Sequence, residues 1–433
     1  MTRERSRPLP PGAFLGGAKS RLLPASIPLR FFGAAVAYHL LAWLALAAGA
    51  DELPQFAGGP GPLLAALHLV TLGVLAMSAI GASLQLLPVA TRQPVDAATR
   101  APALIWWLYT PGVACLTLGM AWVQAWLAAA GAAAVAVALA GFAWLMARNL
   151  RGARGMPAVV AHGWAALACL VVVLATGLSM VAGWLGAPPI ARATALALHV
   201  AFATYGFMGL LALGLAYILV PMFALAPNPA ERPALASAAL AMAALALAAL
   251  AAFGLMPALL RGLAVGLGAA AVALHLRLMQ RALATGMRRE LGRSFVLVRL
   301  AWAMLAASLA LALALALDAP LPGLAPLFGL TLVGGWLLSF LLGMLQRILP
   351  FLASMHASGG KGRRPPTPSA MTAERPLAWH FACHWSALAG LALAILSRSP
   401  WVALAAALVG AAGAAAYGVF YLTLLRRLQG GAA

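Results

Sequence analysis

Long runs of apolar residues, separated by short polar stretches, fill most of the chain between residues 29 and 425. A helix needs about 20 apolar residues to cross a hydrocarbon layer about 30 Å thick. Twelve runs reach that length, and they lack the alternation of apolar and polar residues that barrel strands show. We therefore predict an all-α polytopic membrane protein with twelve transmembrane helices. The predicted spans are Leu29–Ala48, Leu63–Val89, Ala103–Gln124, Leu127–Ala147, Ala158–Ala182, Ala193–Pro221, Ala234–Leu255, Ala258–Gln280, Phe295–Leu317, Leu324–Phe351, Leu377–Leu396 and Val402–Leu425.

The composition excludes most other classes of protein. Of the 433 residues, 64% are hydrophobic and only 8% are charged, whereas a soluble domain carries roughly a quarter charged residues. Disordered chains are poor in the apolar residues that dominate here. Three cysteines, Cys115, Cys169 and Cys383, lie in apolar runs without the spacing of a disulfide framework or a thiolate metal site.

The basic residues indicate how the helices are oriented. If the N-terminus is cytoplasmic, 24 of the 28 Lys and Arg residues fall in cytoplasmic segments, three in outer loops and one inside the ninth run. This is the bias of the positive-inside rule, so both termini are predicted to be cytoplasmic. It also accounts for the net charge of +20 without nucleic acid as a partner. The abundance of Ala, Leu, Gly and Arg is typical of a GC-rich bacterial genome, so we expect a bacterial inner membrane with its lipid bilayer as the main partner.

Helix ends repeat three times along the chain. Predicted helices 2, 6 and 10 each end with a glycine seven residues before a proline, and the matching prolines are 133 and 129 residues apart. Predicted helices 4, 8 and 12 share an Arg-containing end in the same phase. The glycine–proline pairs are Gly81–Pro88, Gly214–Pro221 and Gly343–Pro350. We therefore predict three pseudo-repeated four-helix arcs of the same orientation, in contrast to the inverted repeats of many transporters.

The repeat divides the chain into consecutive segments. Residues 1–28 form a basic cytoplasmic N-terminal segment, residues 29–150 the first arc, residues 151–283 the second arc and residues 284–429 the third arc. The third arc carries a polar cytoplasmic loop at residues 352–376.

Histidine supplies most of the titratable chemistry inside the spans. No Asp or Glu falls within a span, which argues against a transporter coupled through buried carboxylates. His68 and His199 lie 20 and 22 residues before the repeat prolines of helices 2 and 6, in the outer third of each, and His39 in helix 1 could reach the same level. Two neutral imidazoles at one depth suit axial haem ligation. The alternative is that each histidine only forms hydrogen bonds between helices.

Other histidines lie nearer the cytoplasmic side. His380 and His384 are spaced i, i+4 on one face of helix 11, so they are a candidate metal-binding pair; the alternative is interfacial histidine beside a basic loop. His162 and His275 are interpreted as hydrogen-bonding residues between helices. Glycines that follow His68 and His199 leave room for a flat macrocycle or, alternatively, serve helix packing. They are Gly73, Gly81, Gly206, Gly209 and Gly214.

This pattern resembles subunit I of the haem-copper oxidase superfamily. In that family twelve helices form three arcs, a histidine on helix 2 ligates haem, and helix 6 supplies a histidine to copper. The chain is also similar to the NnrS family of haem- and copper-containing membrane proteins linked to nitric oxide, through its size, helix count and the HxxTxG stretch at His68–Gly73. The resemblance implies that His68 is a haem ligand, that His199 is the helix 6 ligand, and that haem b is the cofactor, with copper as a further candidate.

The chain departs from the oxidase pattern at two helices. Helix 7 lacks the histidine pair that completes the copper site, and helix 10 has Phe328 and Leu330 where the family has haem ligands. A dioxygen-reducing centre is therefore not expected, and whether the protein is an enzyme stays open.

Three functional classes remain. The first is a haem- or metal-binding membrane protein in respiratory electron transfer or in the handling of nitric oxide or dioxygen, with other respiratory membrane subunits or a cytochrome as partners. The second is a transporter or a metal- or haem-handling component without redox catalysis. The third is a metal-free assembly protein that docks a partner through residues 356–375.

Overall fold

The computed structural model describes residues 23–93, 100–357 and 366–430. Within these ranges it contains twelve helices that are long and apolar enough to cross a membrane, and no strand. The twelve helices, α1 to α12, are Ser26–Ala48, Pro62–Thr91, Arg100–Ala121, Ala125–Arg151, Pro157–Trp184, Arg192–Ala224, Glu231–Ala252, Pro257–Thr285, Gly292–Ala316, Leu324–His356, Glu374–Ser397 and Pro400–Gln429. The predicted fold class is confirmed, and each helix begins and ends within five residues of its predicted span. Most of the predicted N-terminal segment and the centre of the predicted loop at residues 352–376 lie outside the described residues.

Several helices begin a few residues before the predicted apolar runs, at polar residues or prolines. Four helices, α2, α5, α8 and α12, begin with a proline, which fits the first turn because its missing N–H would have no partner there. The carboxylate of Glu231, at the start of α7, accepts a hydrogen bond of 2.8 Å from the backbone N–H of Ala158 at the start of α5. A carboxylate at this position satisfies one of the unpaired donors of a helix N-terminus.

Three helices are interrupted by π-helical segments. These segments lie in α2, α6 and α10 at Leu69–Ala76, Phe202–Leu210 and Leu330–Leu338. Their first residues are 133 and 128 residues apart, nearly the spacing of the repeat prolines. Because π-helix is rare and is often found at functional sites, its appearance in one helix of each repeat extends the threefold repeat from the sequence to the backbone.

The same three helices form the centre of the bundle. The most apolar windows of α2, α6 and α10 are 67, 83 and 61% buried, whereas no other helix exceeds 44%. The π segment of α10 contacts the π segments of both α2 and α6. Residues at or beside these segments are therefore placed where the repeats meet.

The remaining helices pack around this centre in a repeating order. Extensive contacts join α1 with α2, α5 with α6 and α9 with α10, and likewise α3 with α4, α7 with α8 and α11 with α12. A third set joins α4 with α5, α8 with α9 and α12 with α1. Helices from the two ends of the sequence consequently share one interface.

Small residues allow the central helices to approach their neighbours closely. A Cβ added at Gly73 of α2 would lie 2.8 Å from Tyr38 of α1, and a Cβ at Gly206 of α6 would lie 2.9 Å from Cys169 of α5. Gly335 of α10 makes the same approach to Met304 of α9. These three contacts occupy equivalent positions of the repeat.

A second glycine, eight residues later, repeats the arrangement. A Cβ at Gly81 would meet Phe31 at 2.9 Å, and a Cβ at Gly214 would meet His162 at 2.7 Å. At Gly209 an added Cβ would lie 2.8 Å from a backbone oxygen of its own helix. The expectation that these glycines leave room for a macrocycle is therefore wrong, because neighbouring protein atoms already fill the space.

Candidate functional site

His68 and His199 face each other where α2 and α6 enter their π segments. His68 directly precedes the segment that begins at Leu69, and His199 lies three residues before the segment that begins at Phe202. The ring centroids are 6.4 Å apart and the ring planes are inclined by 27°. Both side chains are half-buried. The structure thus brings together two of the three histidines predicted as cofactor ligands.

Hydrogen bonds fix which nitrogen of each ring carries the proton. The Nδ1 atom of His68 lies 3.0 Å from the backbone oxygen of Leu64, and since a carbonyl only accepts, Nδ1 is the protonated nitrogen. His199 Nδ1 lies 3.2 Å from the hydroxyl oxygen of Thr176, and that hydroxyl donates its own hydrogen to Val172 at 2.7 Å. Nδ1 of His199 is therefore also the donor, which leaves the lone pair of each neutral ring on Nε2.

This is the arrangement found in metal-ligating histidines. One ring nitrogen donates to a protein oxygen, which fixes the tautomer, and the other presents its lone pair. With metal–nitrogen bonds of about 2 Å, two imidazoles on opposite sides of one ion have ring centres about 6 Å apart. The observed separation of 6.4 Å fits that value. The ring separation is therefore compatible with one shared metal ion, either haem iron or a bare ion such as copper.

Two residues of α5 at this site were not found from the sequence. Thr176 holds the His199 ring, and a Cβ added at Gly177 would lie 3.1 Å from the Cε1 atom of that ring. In the sequence these two residues appear only as a small polar residue next to glycine in an apolar run. Such a pair is common in membrane helices and does not indicate a site. Thr71, in the HxxTxG stretch, donates within its own helix to Leu67 at 3.0 Å.

His39 lies with a different set of residues. Its neighbour Tyr38 packs on Gly73 of α2, so the next residue along α1 points to another side of the helix. Trp43, one turn after His39, packs on Gly410 of α12. The expectation that His39 joins His68 and His199 is corrected accordingly, because this face of α1 is directed towards α12.

His39, His380, His384 and Tyr417 form a buried cluster, called here the α11 cluster. The ring centroids of His39 and His380 are 5.9 Å apart, and those of His380 and His384 are 5.6 Å apart. The Tyr417 ring lies 4.9 Å from that of His380. All three histidines are at most 1% exposed. The interpretation of His380 and His384 as interfacial residues is therefore wrong.

A second polar set lies between α5, α6 and α8. The ring of Tyr217 lies 5.3 Å from that of His162 and 5.0 Å from that of His275. Nδ1 of His162 lies 2.8 Å from the backbone oxygen of Ala158. Both histidines are fully buried, and within the described part of the chain neither nitrogen of His275 has a hydrogen-bond partner.

A conventional multidentate metal site is not formed by the described residues. No group of three or more His, Cys, Asp or Glu side chains in the described ranges is arranged to hold a metal ion. Among the described residues, the candidate metal sites are therefore pairs of imidazoles.

Comparison with known proteins gives no family. No protein-family model matches the sequence, and no curated protein matches it. The resemblance to haem-copper oxidases and to the NnrS family consequently stays a prediction.

Proposed function

We propose that the protein is an integral membrane haem- or metal-binding protein whose metal, in haem b or as a bare ion, is held between His68 and His199. The observation that carries this proposal is the pair of facing imidazoles whose Nδ1 atoms donate to protein oxygens and whose Nε2 lone pairs remain for a metal. A copper ion is the alternative occupant, because the separation of the rings suits either metal.

The protein residues around the pair have defined roles. Leu64 fixes the tautomer and rotation of the His68 ring, and Thr176 does the same for His199. The π segments of α2 and α6 set the angle at which the two helices present these rings. Both imidazoles are partly exposed, so a ligand can reach them without unfolding of the bundle.

The protein around His68 and His199 favours ligands without a carboxylate. Described carboxylates lie at helix ends or between helices, as Glu231 does at the start of α7, so no buried acid is available for ion-coupled transport. Haem b, when bound, supplies one-electron exchange and an iron that binds nitric oxide or dioxygen. We propose a role in respiratory electron transfer or in the handling of these gases, with other respiratory membrane subunits or a cytochrome as partners, in the bacterial inner membrane.

The test is the absorbance of protein purified in detergent from haem-producing bacterial membranes, together with its iron and copper content. Wild-type protein should show a Soret band that His68→Ala and His199→Ala each abolish. The matched control is His275→Phe, which removes a buried histidine elsewhere in the bundle and should keep the band. Thermal unfolding of each variant verifies folding.

Two results contradict the proposal. One is wild-type protein that takes up neither haem nor copper when both are supplied, which would favour the transporter class. The other is a Soret band unchanged in both alanine variants. If the wild-type protein contained copper but showed no Soret band, and both alanine variants lost the copper, the site would be assigned to copper.

A further inference from the structure

The α11 cluster contains two buried imidazole lone pairs that have no hydrogen-bond partner among the described residues. Nδ1 of His380 lies 3.2 Å from the backbone oxygen of Gly413, so Nδ1 carries the proton and the lone pair is on Nε2. Nε2 of His384 lies 2.8 Å from the hydroxyl oxygen of Ser339, and Ser339 donates its own hydrogen to Gly334. His384 must therefore donate from Nε2, which leaves the lone pair on Nδ1. The two lone-pair atoms, His380 Nε2 and His384 Nδ1, are both unpartnered.

His39 has the opposite arrangement. Trp43 donates its indole N–H to His39 Nε2 at 3.2 Å, and since the indole can only donate, Nε2 holds the lone pair and Nδ1 the proton. The third imidazole of the cluster therefore offers no lone pair to a ligand. A site in this cluster is limited to the two histidines of α11.

The fold does not require polar residues at the positions of His39 and Tyr417, which complete the α11 cluster. In the repeat, His39 corresponds to Leu170 and Leu305. Each of the three directly follows the residue (Tyr38, Cys169 or Met304) that packs on the first glycine of α2, α6 or α10. Tyr417 lies nine residues before the basic end of α12 and corresponds to Leu139 and Val272. All four aliphatic residues are buried. Packing therefore does not require the polar side chains of His39 and Tyr417 beside the two histidines of α11. The unpartnered nitrogens of His380 and His384 cost free energy in this buried position, which a ligand would offset.

We propose that His380 Nε2 and His384 Nδ1 chelate a soft monovalent transition-metal ion, copper(I), at a site separate from His68 and His199. Two histidines spaced i, i+4 present their rings on one face of a helix. Their ring centroids are 5.6 Å apart, within reach of a shared ion when metal–nitrogen bonds are about 2 Å long. Imidazole is a suitable donor for copper.

The charge of the ion follows from the surroundings. Both donors are neutral, and the described parts of the spans contain no carboxylate beyond their terminal residues. The cost of transferring an ion out of water rises with the square of its charge, so a monovalent ion costs about a quarter as much as a divalent ion of equal size. Copper(I) also tolerates coordination by few ligands, whereas Zn²⁺ is almost always four-coordinate in structural sites.

The experiment loads purified full-length protein with copper(I) under reducing, oxygen-free conditions, and separately with silver(I) as a redox-inert probe. After desalting, bound metal per chain is measured by elemental analysis, and the Soret band is recorded in parallel. His380→Ala and His384→Ala should each retain one monovalent ion per chain fewer than the wild-type protein, with the Soret band unchanged. His384→Gln is the second variant in case alanine impairs folding.

Two controls test the assignment of ligands. His39→Leu introduces the residue found at both sister positions and should retain the ion, because His39 contributes no lone pair. Cys383, adjacent to His384 and packed on Gly413, is the nearby sulfur donor, and Cys383→Ala should also retain the ion. X-ray absorption of the loaded wild-type protein should show nitrogen rather than sulfur neighbours.

Four results would overturn the inference. They are retention of the ion in both His380 and His384 variants, loss of the ion in Cys383→Ala, tighter binding of Zn²⁺ than of silver(I), and no uptake of either monovalent ion. Loss of the Soret band in His68→Ala with copper(I) still bound would show that the two sites are independent.

Discussion

At the scale of single residues, the repeat provides an internal comparison for each buried polar side chain. Gly214 packs on His162, whereas its equivalent Gly81 packs on Phe31. His275 lies six residues before Arg281, in the same position as Phe142 before Arg148. The bundle therefore packs with aromatic hydrocarbon where the second repeat has imidazoles.

Replacing His275 by phenylalanine, the equivalent residue Phe142 of the first repeat, is expected to stabilise the protein. His275→Phe removes two unpartnered buried ring nitrogens, each worth about 1–3 kcal/mol of desolvation, and retains an aromatic ring of similar shape. The thermal unfolding midpoint in detergent should rise. A lower midpoint would show that the imidazole has a partner, such as a bound water, that stabilises it.

The positions of some of these residues were predictable from the sequence, and those of others were not. His68 and His199 were found because the repeat register places them at nearly one depth on sister helices. His39 was assigned to the wrong neighbours because counting residues along a helix gives depth but not the direction of the side chain. The α11 cluster depends on the contact of α1 with α12, and no pattern in the sequence indicates that helices from opposite ends of the chain pack together.

At the scale of helices, glycine contacts determine how closely the elements pack. A Cβ at Gly214 would lie 2.7 Å from the Cβ of His162, and overpacking of this kind costs about 1–3 kcal/mol. Gly214→Ala should therefore lower the thermal unfolding midpoint. The matched control is Gly262→Ala in α8, where an added Cβ meets nothing within 4 Å and alanine favours the helix. Equal midpoints for the two variants would refute the close approach.

Matched deletions in the π segments of α2 and α10 test whether the segment of α2 places His68 opposite His199. Deletion of Val70, inside Leu69–Ala76, should restore α-helical winding, because a π segment holds about one residue more than the α-helix it replaces. Loss of the wide turn should displace the His68 ring at its edge from its position opposite His199. The Soret band should disappear while the protein still folds. The control deletes Thr331 from Leu330–Leu338 of α10, which carries no histidine, and should retain the band. Retention of the band in both deletions would show that the π segment does not align the pair.

The existence of the helices was predictable, but their interior irregularity was not. Apolar runs long enough for a bilayer predict spans directly, and each observed end lies within five residues of its predicted position. A π segment changes the hydrogen-bond register without changing the apolar composition. All three segments contain glycine, which is too common in membrane helices to be a signal.

At the scale of the whole molecule, twelve helices and the distribution of basic residues predict that both termini are cytoplasmic. Green fluorescent protein fused after Gln429 should fluoresce, and alkaline phosphatase inserted at Asp318 should be active, because the former folds in the cytoplasm and the latter outside it. If the green fluorescent protein fused after Gln429 did not fluoresce, and alkaline phosphatase fused at Gln429 were active, the C-terminus would lie outside. That result would contradict the even number of spans.

The central claim is that one metal-bearing group lies between His68 and His199 at the meeting point of two sister helices. The most direct measurement is an electron cryo-microscopy map of the protein purified from haem- and copper-supplemented membranes. We expect density that joins the Nε2 atoms of both rings and is missing in His68→Ala. Direct packing of the two rings in the wild-type map, with no density between them, would contradict it.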